Sequence, residues 1–339
     1  MIALRLHDKR DLRIHDEPAP VAADGELLLR VTSVGLCGSD LHWFEDGQIG
    51  DAVLTRPLVL GHECVGVIAD GPRAGERVAL DPAISCGRCA LCLAGDENLC
   101  LACRFAGHST DGALRALMAW PERLAYPIPD SLSDAEAALL EPLGVALHAL
   151  DLGHVGPGTA AGVYGCGPLG LLLVQLLRVA GADPVVATDP LAHRVRAAEA
   201  FGATTAVQTR RAGREMLPPG SIPVGVDVAF EVAGDDDAVA TAIDTLRPGG
   251  RLVLVGIPSD DRTSFTASVA RRKGLSIFVC RRMKPSDLPR AIRLAEQKRV
   301  ELAPLVSERF ALSQWRDAFA TLSERRALKV VVEPQRETV

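Results

Sequence analysis

Four cysteines crowd the stretch CGRCALCLAGDENLC: Cys86, Cys89, Cys92 and Cys100, at the spacing C-x2-C-x2-C-x7-C. Four thiolates so close in sequence can complete a tetrahedral metal shell and leave no position for water or substrate, as a structural zinc requires. A disulfide framework fits poorly with a reducing compartment, and a C-x-x-C redox pair gives the third and fourth cysteines no role. Cys103 is surplus to this set and is expected to be a buried thiol.

A second group of chemical side chains is spread more widely. GLCGSDLH carries Cys37, Ser39, Asp40 and His42, GHE carries His62 and Glu63, and LEPLGVALH carries Glu141. One thiolate, one imidazole and one carboxylate make three protein ligands with a fourth position free for a substrate oxygen, the pattern of a catalytic zinc. Spacing alone does not decide between this and ordinary core residues.

GCGPLG supplies Gly165, Gly167 and Gly170 as G-x-G-x-x-G between an apolar strand-like run and a helix-like run. In that context the first glycine permits a tight turn, the second a close backbone approach to a pyrophosphate, and the third close packing of helix on strand. Asp189 closes the next apolar run, where a carboxylate accepts a ribose hydroxyl and repels a 2′-phosphate, so NAD is expected over NADP. Arg194 is a further cofactor-side candidate, able in principle to meet a phosphate, although beside Asp189 an exposed helix position is the plainer reading.

The elements that must position these groups fall into two styles. Apolar runs at 160–165, 184–189, 204–208, 226–232, 251–257 and 275–279 alternate with helical stretches, which predicts a doubly wound parallel sheet of six strands. The first 140 residues show short alternating runs such as ELLLRVTSVG and ERVAL, broken by Gly and Pro, and predict a mostly β domain. After residue 284 come two helical stretches (LPRAIRLAEQKRV and LSQWRDAFATL) and a final strand (LKVVVE), too little to bury a core alone, so this tail is expected to pack on the first domain.

At 339 residues the chain exceeds the usual limit of one core, and 48% apolar with 24% charged residues describes a folded protein. A net charge of −6 argues against nucleic acid or an anionic membrane surface as a partner. The amino terminus lacks the apolar core of a signal peptide and LGLLLVQLL is too short to span a bilayer, so a cytoplasmic location is expected, with nine cysteines as thiols and metal ligands.

GLCGSDLH, GHE, the four-cysteine loop, EPL and GCGPLG, in this order, resemble the zinc-containing medium-chain dehydrogenases. EPL and RRKGLSIFVCRRMKPSDLPRAIRL are most similar to the polyol branch: sorbitol, xylitol and L-idonate dehydrogenases. The resemblance runs from about residue 1 to 335. It implies a GroES-like catalytic domain over 1–145 and 284–339 and a Rossmann NAD domain over 146–283, with two zinc ions per subunit in a homodimer or homotetramer. It also implies Cys37, His62 and Glu63 as catalytic zinc ligands, Glu141 as a glutamate at the metal or its bound water, and Asp40 as the group that orients His62 by a hydrogen bond.

The implied activity is reversible, NAD-linked oxidation of a secondary alcohol of a polyol or sugar acid to the ketone. Zinc would act as a Lewis acid on the alcohol, and Ser39 and His42 would pass the released proton to solvent. Trp43, Phe105, His108 and Arg281 stand at positions that lie near substrate in the polyol enzymes. His108 replaces a small hydroxyl residue, and Arg282 follows Arg281 where an aromatic is common, so a carboxylate-bearing substrate competes with sorbitol. The loop in CVGVIADGPRAGERVAL is shorter than usual, with consequences expected for stability only. Three other readings are an L-threonine-type amino-alcohol dehydrogenase, a zinc-free quinone reductase with no use for these cysteines, and a non-catalytic protein holding NAD and zinc structurally.

Overall fold

The computed structural model describes residues 1–209, 220, 222 and 224–336. The chain divides into two units, residues 1–141 with 284–339, and residues 142–283. The first boundary thus falls within the helix Leu140–Leu152, at Glu141–Pro142, earlier than the 145 expected.

The first unit is organised by one strand, Glu26–Gly35, which is long enough to serve three neighbours. It pairs antiparallel with Glu63–Ile68, Leu117–Pro121 and Lys329–Glu333. The tail therefore completes the sheet of this unit: Val331 lies opposite Gly35 and Val332 opposite Val34. On the other side Gly35 lies opposite Glu63. Apolar residues on the buried positions of these strands, Leu29, Val31, Val34, Ile68 and Met118, share one core with Trp315 and Phe319 from the tail helix Trp315–Ser323. The expected amphipathic helix spans Asp287–Glu296. The short loop after GHE forms a plain hairpin, with Glu63–Ile68 antiparallel to Arg77–Leu80.

A half-buried arginine staples the amino-terminal strands to this unit. Arg5 reaches Glu17 with Nε and Nη2 at 2.9 Å each, and Asp111 with Nη1 at 3.0 and Nη2 at 3.1 Å. Asp111 Oδ1 also accepts the Val59 N–H at 3.1 Å. Burial opposes ionisation of Asp111, but Arg5 and that N–H more than offset it and hold the carboxyl below its usual range.

The second unit carries a parallel sheet with the order Thr205–Gln208, Val185–Asp189, Ala161–Tyr164, Val226–Glu231, Leu246–Leu254, Ser276–Val279. Every neighbouring pair is parallel. The strands Ala161–Tyr164 and Val185–Asp189 are buried throughout, which is why they read as continuous apolar runs rather than alternating ones. The strand order reverses beside Ala161–Tyr164, and a doubly wound sheet opens its ligand crevice at such a point. Among the described residues no helix is long and apolar enough to cross a membrane.

Asp111→Asn is expected to cost about 2 kcal/mol near neutral pH, the scale of a lost charge-assisted hydrogen bond. A carboxyl held low in the fold contributes above its unfolded value of 3.8 and ceases to contribute as pH falls through the lower folded value. Denaturant unfolding of wild type and variant should therefore show a full gap at pH 6 that closes below 3.8; a gap unchanged down to acid pH would contradict the role given to Asp111.

Candidate active site

Cys37 sits at the cap of the helix Gly38–Asp46, which also carries Ser39, Asp40, His42 and Trp43. Asp40 is fully buried and accepts two backbone N–H groups, Cys37 to Oδ2 and Gly61 to Oδ1, both at 3.0 Å. One carboxylate thus ties together the two segments that deliver Cys37 and His62. Its Oδ1 lies 3.6 Å from His62 Nδ1, a charge contact longer than the hydrogen bond expected from the resemblance. With Nδ1 beside Asp40, Nε2 would be the ring nitrogen left to bind a metal. Burial would push the Asp40 carboxyl up, yet His62 and the two N–H groups hold it below the usual range. Burial likewise works against an imidazolium at His62, and Asp40 and Cys37 outweigh it, so His62 lies well above its ordinary value.

Donor atoms of Cys37, His62 and Glu63 lie within 4.8 Å of one another. A thiolate, an imidazole and a carboxylate at such separations suit a zinc ion with a position left for another ligand. Glu141, in the first turn of Leu140–Leu152, is outside that trio of donors. It is buried beside them, and burial raises its carboxyl to about 7, with His62 pulling down and Glu63 pushing up. Of the two candidate carboxylates, Glu63 is the one clustered with Cys37 and His62.

The four-cysteine loop converges as the spacing predicts. Sγ separations are 3.9 Å for Cys86–Cys92, 3.5 Å for Cys89–Cys92 and 4.0 Å for Cys89–Cys100. A tetrahedron of sulfurs about 2.3 Å from zinc has edges of about 3.8 Å, so these residues fit that ion. All nine cysteines are free thiols. Backbone N–H groups of Arg88 and Cys89 draw the Cys86 thiol down to about 6, ready to act as a thiolate. Cys103 corrects the expectation of a buried thiol: it is half-exposed, with Sγ 3.4 Å from the Arg104 carbonyl oxygen.

Aromatic groups gather near the trio. Phe105 packs against His62 with ring centroids 5.5 Å apart, and buried Trp43 meets His108 edge-on at 5.4 Å. His42 is half-exposed and faces Asp46, with Nδ1 3.4 Å from Oδ2. Ser39 is half-buried, one helical turn before His42 on the same face. Arg281 is exposed and belongs to the second unit, and Arg282 follows it with φ at +58°.

In the second unit the glycine loop lies at the carboxyl end of Ala161–Tyr164. Gly165 has φ +104°, and a Cβ there would lie 2.9 Å from the Ala233 nitrogen. At Gly170 a Cβ would lie 1.9 Å from the Gly165 carbonyl oxygen, so helix and strand pack as closely as expected. Gly167 differs: a Cβ would meet nothing closer than Arg194 Nη1 at 3.7 Å, so packing within the loop does not demand a glycine there. Buried Asp189 accepts the Cys166 N–H at Oδ2 and the Leu191 N–H at Oδ1, both at 2.8 Å. Arg194 corrects the exposed-helix reading, since its side chain is 15% exposed and Nη1 stands 3.9 Å from Asp189.

Two residues escaped the sequence reading. Glu231 Oε1 accepts the N–H groups of Ala233 and Gly234 at 2.7 Å each, holding the loop that faces Gly165. Lys329 pairs with Glu63 from 266 positions away. An acidic residue at a strand end before a glycine hints at the first; no local pattern marks the second.

A three-donor metal cluster in a GroES-like unit and a glycine loop on a doubly wound sheet define a zinc-binding alcohol dehydrogenase. Residues 23–130 match the alcohol dehydrogenase GroES-like domain and residues 168–297 the zinc-binding dehydrogenase domain. Sorbitol dehydrogenase of Bacillus subtilis (strain 168) is 35% identical over 99% of this chain and 98% of its own length. L-idonate 5-dehydrogenase of Vitis vinifera is 32% identical over 90% and 86%. A Sinorhizobium meliloti 1021 dehydrogenase crystallised with NADP superposes with a TM-score of 0.88 at 30% identity, covering 98% of this chain and 99% of that one. The chain belongs to the zinc-binding medium-chain dehydrogenases of the polyol branch.

The two glycines separate fold from ligand. Gly170→Ala is expected to lower stability by roughly 3 kcal/mol through the backbone clash. Gly167→Ala should leave the unfolding midpoint within about 0.5 kcal/mol of wild type. Denaturant titration checks both, and equal losses would refute the distinction.

Proposed function

We propose that the protein oxidises a secondary alcohol of a polyol or sugar acid to the ketone, reversibly and with NAD, using one zinc at Cys37, His62 and Glu63 and a second at the four cysteines. The observation that carries this reading is the convergence of one thiolate, one imidazole and one carboxylate, with buried Asp40 holding the backbone N–H of Cys37 and that of Gly61, the residue before His62. Zinc bound there would supply Lewis acidity that lowers the pKa of an alcohol hydroxyl. NAD, when bound, supplies the hydride acceptor.

The chain's own residues do the rest. Asp40 holds Cys37 and His62 in register and keeps the imidazole turned. Ser39 receives the hydroxyl proton, and His42, on the same helix face and half-exposed, relays it outward. Trp43 and Phe105 supply apolar walls, with His108 as the polar group beside Trp43. Glu141, which burial holds near neutrality in its proton affinity, can keep or release a proton next to the trio. Cys86, Cys89, Cys92 and Cys100 hold their loop closed and take no part in the chemistry.

On the second unit, Gly165, Gly167 and Gly170 let a dinucleotide approach the backbone, and Asp189 presents a carboxylate toward the ribose. Arg194 stands beside Asp189, and the S. meliloti relative carried NADP, so cofactor choice rests on the balance of these two side chains. Asp189 supports NAD. The exposed guanidinium of Arg281 supports acceptance of acidic substrates such as an aldonate. Thiolate clusters of this kind persist in a reducing compartment, which supports the cytoplasm. A homodimer or homotetramer follows the resemblance.

An NADH-absorbance screen over xylitol, sorbitol, idonate and threonine tests the reading directly; turnover is expected with a polyol or aldonate, and turnover with threonine alone would replace it. Cys37→Ser and His62→Ala should each lose turnover while NADH binding, followed by fluorescence, persists. Asp189→Asn should shift the NAD/NADP ratio of kcat/KM about tenfold towards NADP, a change of about 1.4 kcal/mol. Elemental analysis should find two zinc per chain, falling to one in Cys92→Ser.

A further inference from the structure

Glu63 belongs to an ion pair from which water is almost wholly excluded: the side chain of Lys329 is 2% exposed and that of Glu63 1%. Among the described residues no other ion pair is so thoroughly buried on both sides. Lys329 Nζ stands 2.6 Å from Glu63 Oε1, also contacts Oε2, and donates to the Leu36 carbonyl oxygen at 2.9 Å. Leu36 directly precedes Cys37. One ammonium group therefore fastens the Glu63 carboxylate to the segment that delivers the thiolate.

Room for the pair is made by Gly35, where a Cβ would lie 2.0 Å from Glu63 Oε2 and 2.9 Å from Lys329 Cε. Strand register does the rest, since Gly35 is flanked by Glu63 on one side and Val331 on the other. A buried ion pair is a weak device for stability, because desolvation of both charges offsets their attraction. Placing one beside metal donors has a clearer use. It fixes which way the carboxylate points, and it adds a positive charge to a donor set that otherwise carries a thiolate and a carboxylate.

We infer that Lys329 is a positioning residue for the catalytic metal, holding Glu63 in its place beside Cys37 and His62. The inference rests on reading those three residues as a metal site. Cobalt(II) reconstitution tests it, comparing the visible d–d bands and metal retention of wild type, Lys329→Met and Lys329→Gln. Both variants are expected to shift the band of the Cys37–His62–Glu63 site and to yield that ion to a chelator roughly 10- to 100-fold more readily, the usual effect of removing a partner of a metal ligand. The four-cysteine ion should be retained as in wild type. Should Lys329→Met fail to fold, Lys329→Gln, which keeps a donor for Leu36 without the charge, carries the comparison. Variants that lose only thermal stability, with bands and retention unchanged, would overturn the inference and leave the proposed function standing. Wild type that binds a single ion, in the four-cysteine loop, would overturn both.

Discussion

A carboxylate without access to water has to be satisfied by the groups around it, and at Asp40 that requirement builds the site. Its two oxygens take the N–H groups of Cys37 and Gly61, which belong to segments brought together only by folding. An unpaired carboxylate at that depth would be costly, so the geometry that satisfies it is also the one that sets Cys37 against His62. Ligand placement is thereby coupled to the solvation of one charge, a stronger constraint than the flexible side chains could impose on themselves.

The same logic recurs in the second unit with different partners. Asp189 accepts N–H groups from the glycine loop and from the start of the following helix, so one buried carboxylate fixes the shape of the glycine loop. Glu231 does this for the facing loop. Each glycine then has its own cause: Gly165 and Gly170 are demanded by neighbouring backbone, whereas Gly167 borders open space. Neighbouring backbone makes no such demand at the last.

The difference between the two candidate metal sites follows from coordination number. Four thiolates at tetrahedral edge distances would exhaust the shell of a zinc ion and leave that loop no open position for substrate. Three mixed donors would leave a zinc ion one position, and the buried carboxyl of Glu141 lies near the trio but outside the donor set. The lysine pairing with Glu63 adds a charge of the opposite sign where two anionic donors converge. Phe105 packs against His62 of that trio, and Trp43 meets His108 edge-on.

The sequence by itself determined whatever is local or periodic. Strand and helix alternation, the six-run rhythm, the glycine loop and the four-cysteine spacing are properties of short windows, and the physics that makes them structures acts within those windows. Asp40 entered through the resemblance, as the partner of His62, whereas its bonds to the Cys37 and Gly61 N–H groups came only from the fold. The tertiary structure alone decided that Glu63 rather than Glu141 clusters with Cys37 and His62, that Arg194 leans on Asp189, and that Cys103 is half-exposed. It alone joined Lys329 to Glu63, because that contact depends on strand register across most of the chain, and a one-residue slip would have turned every side chain of the strand to the other face.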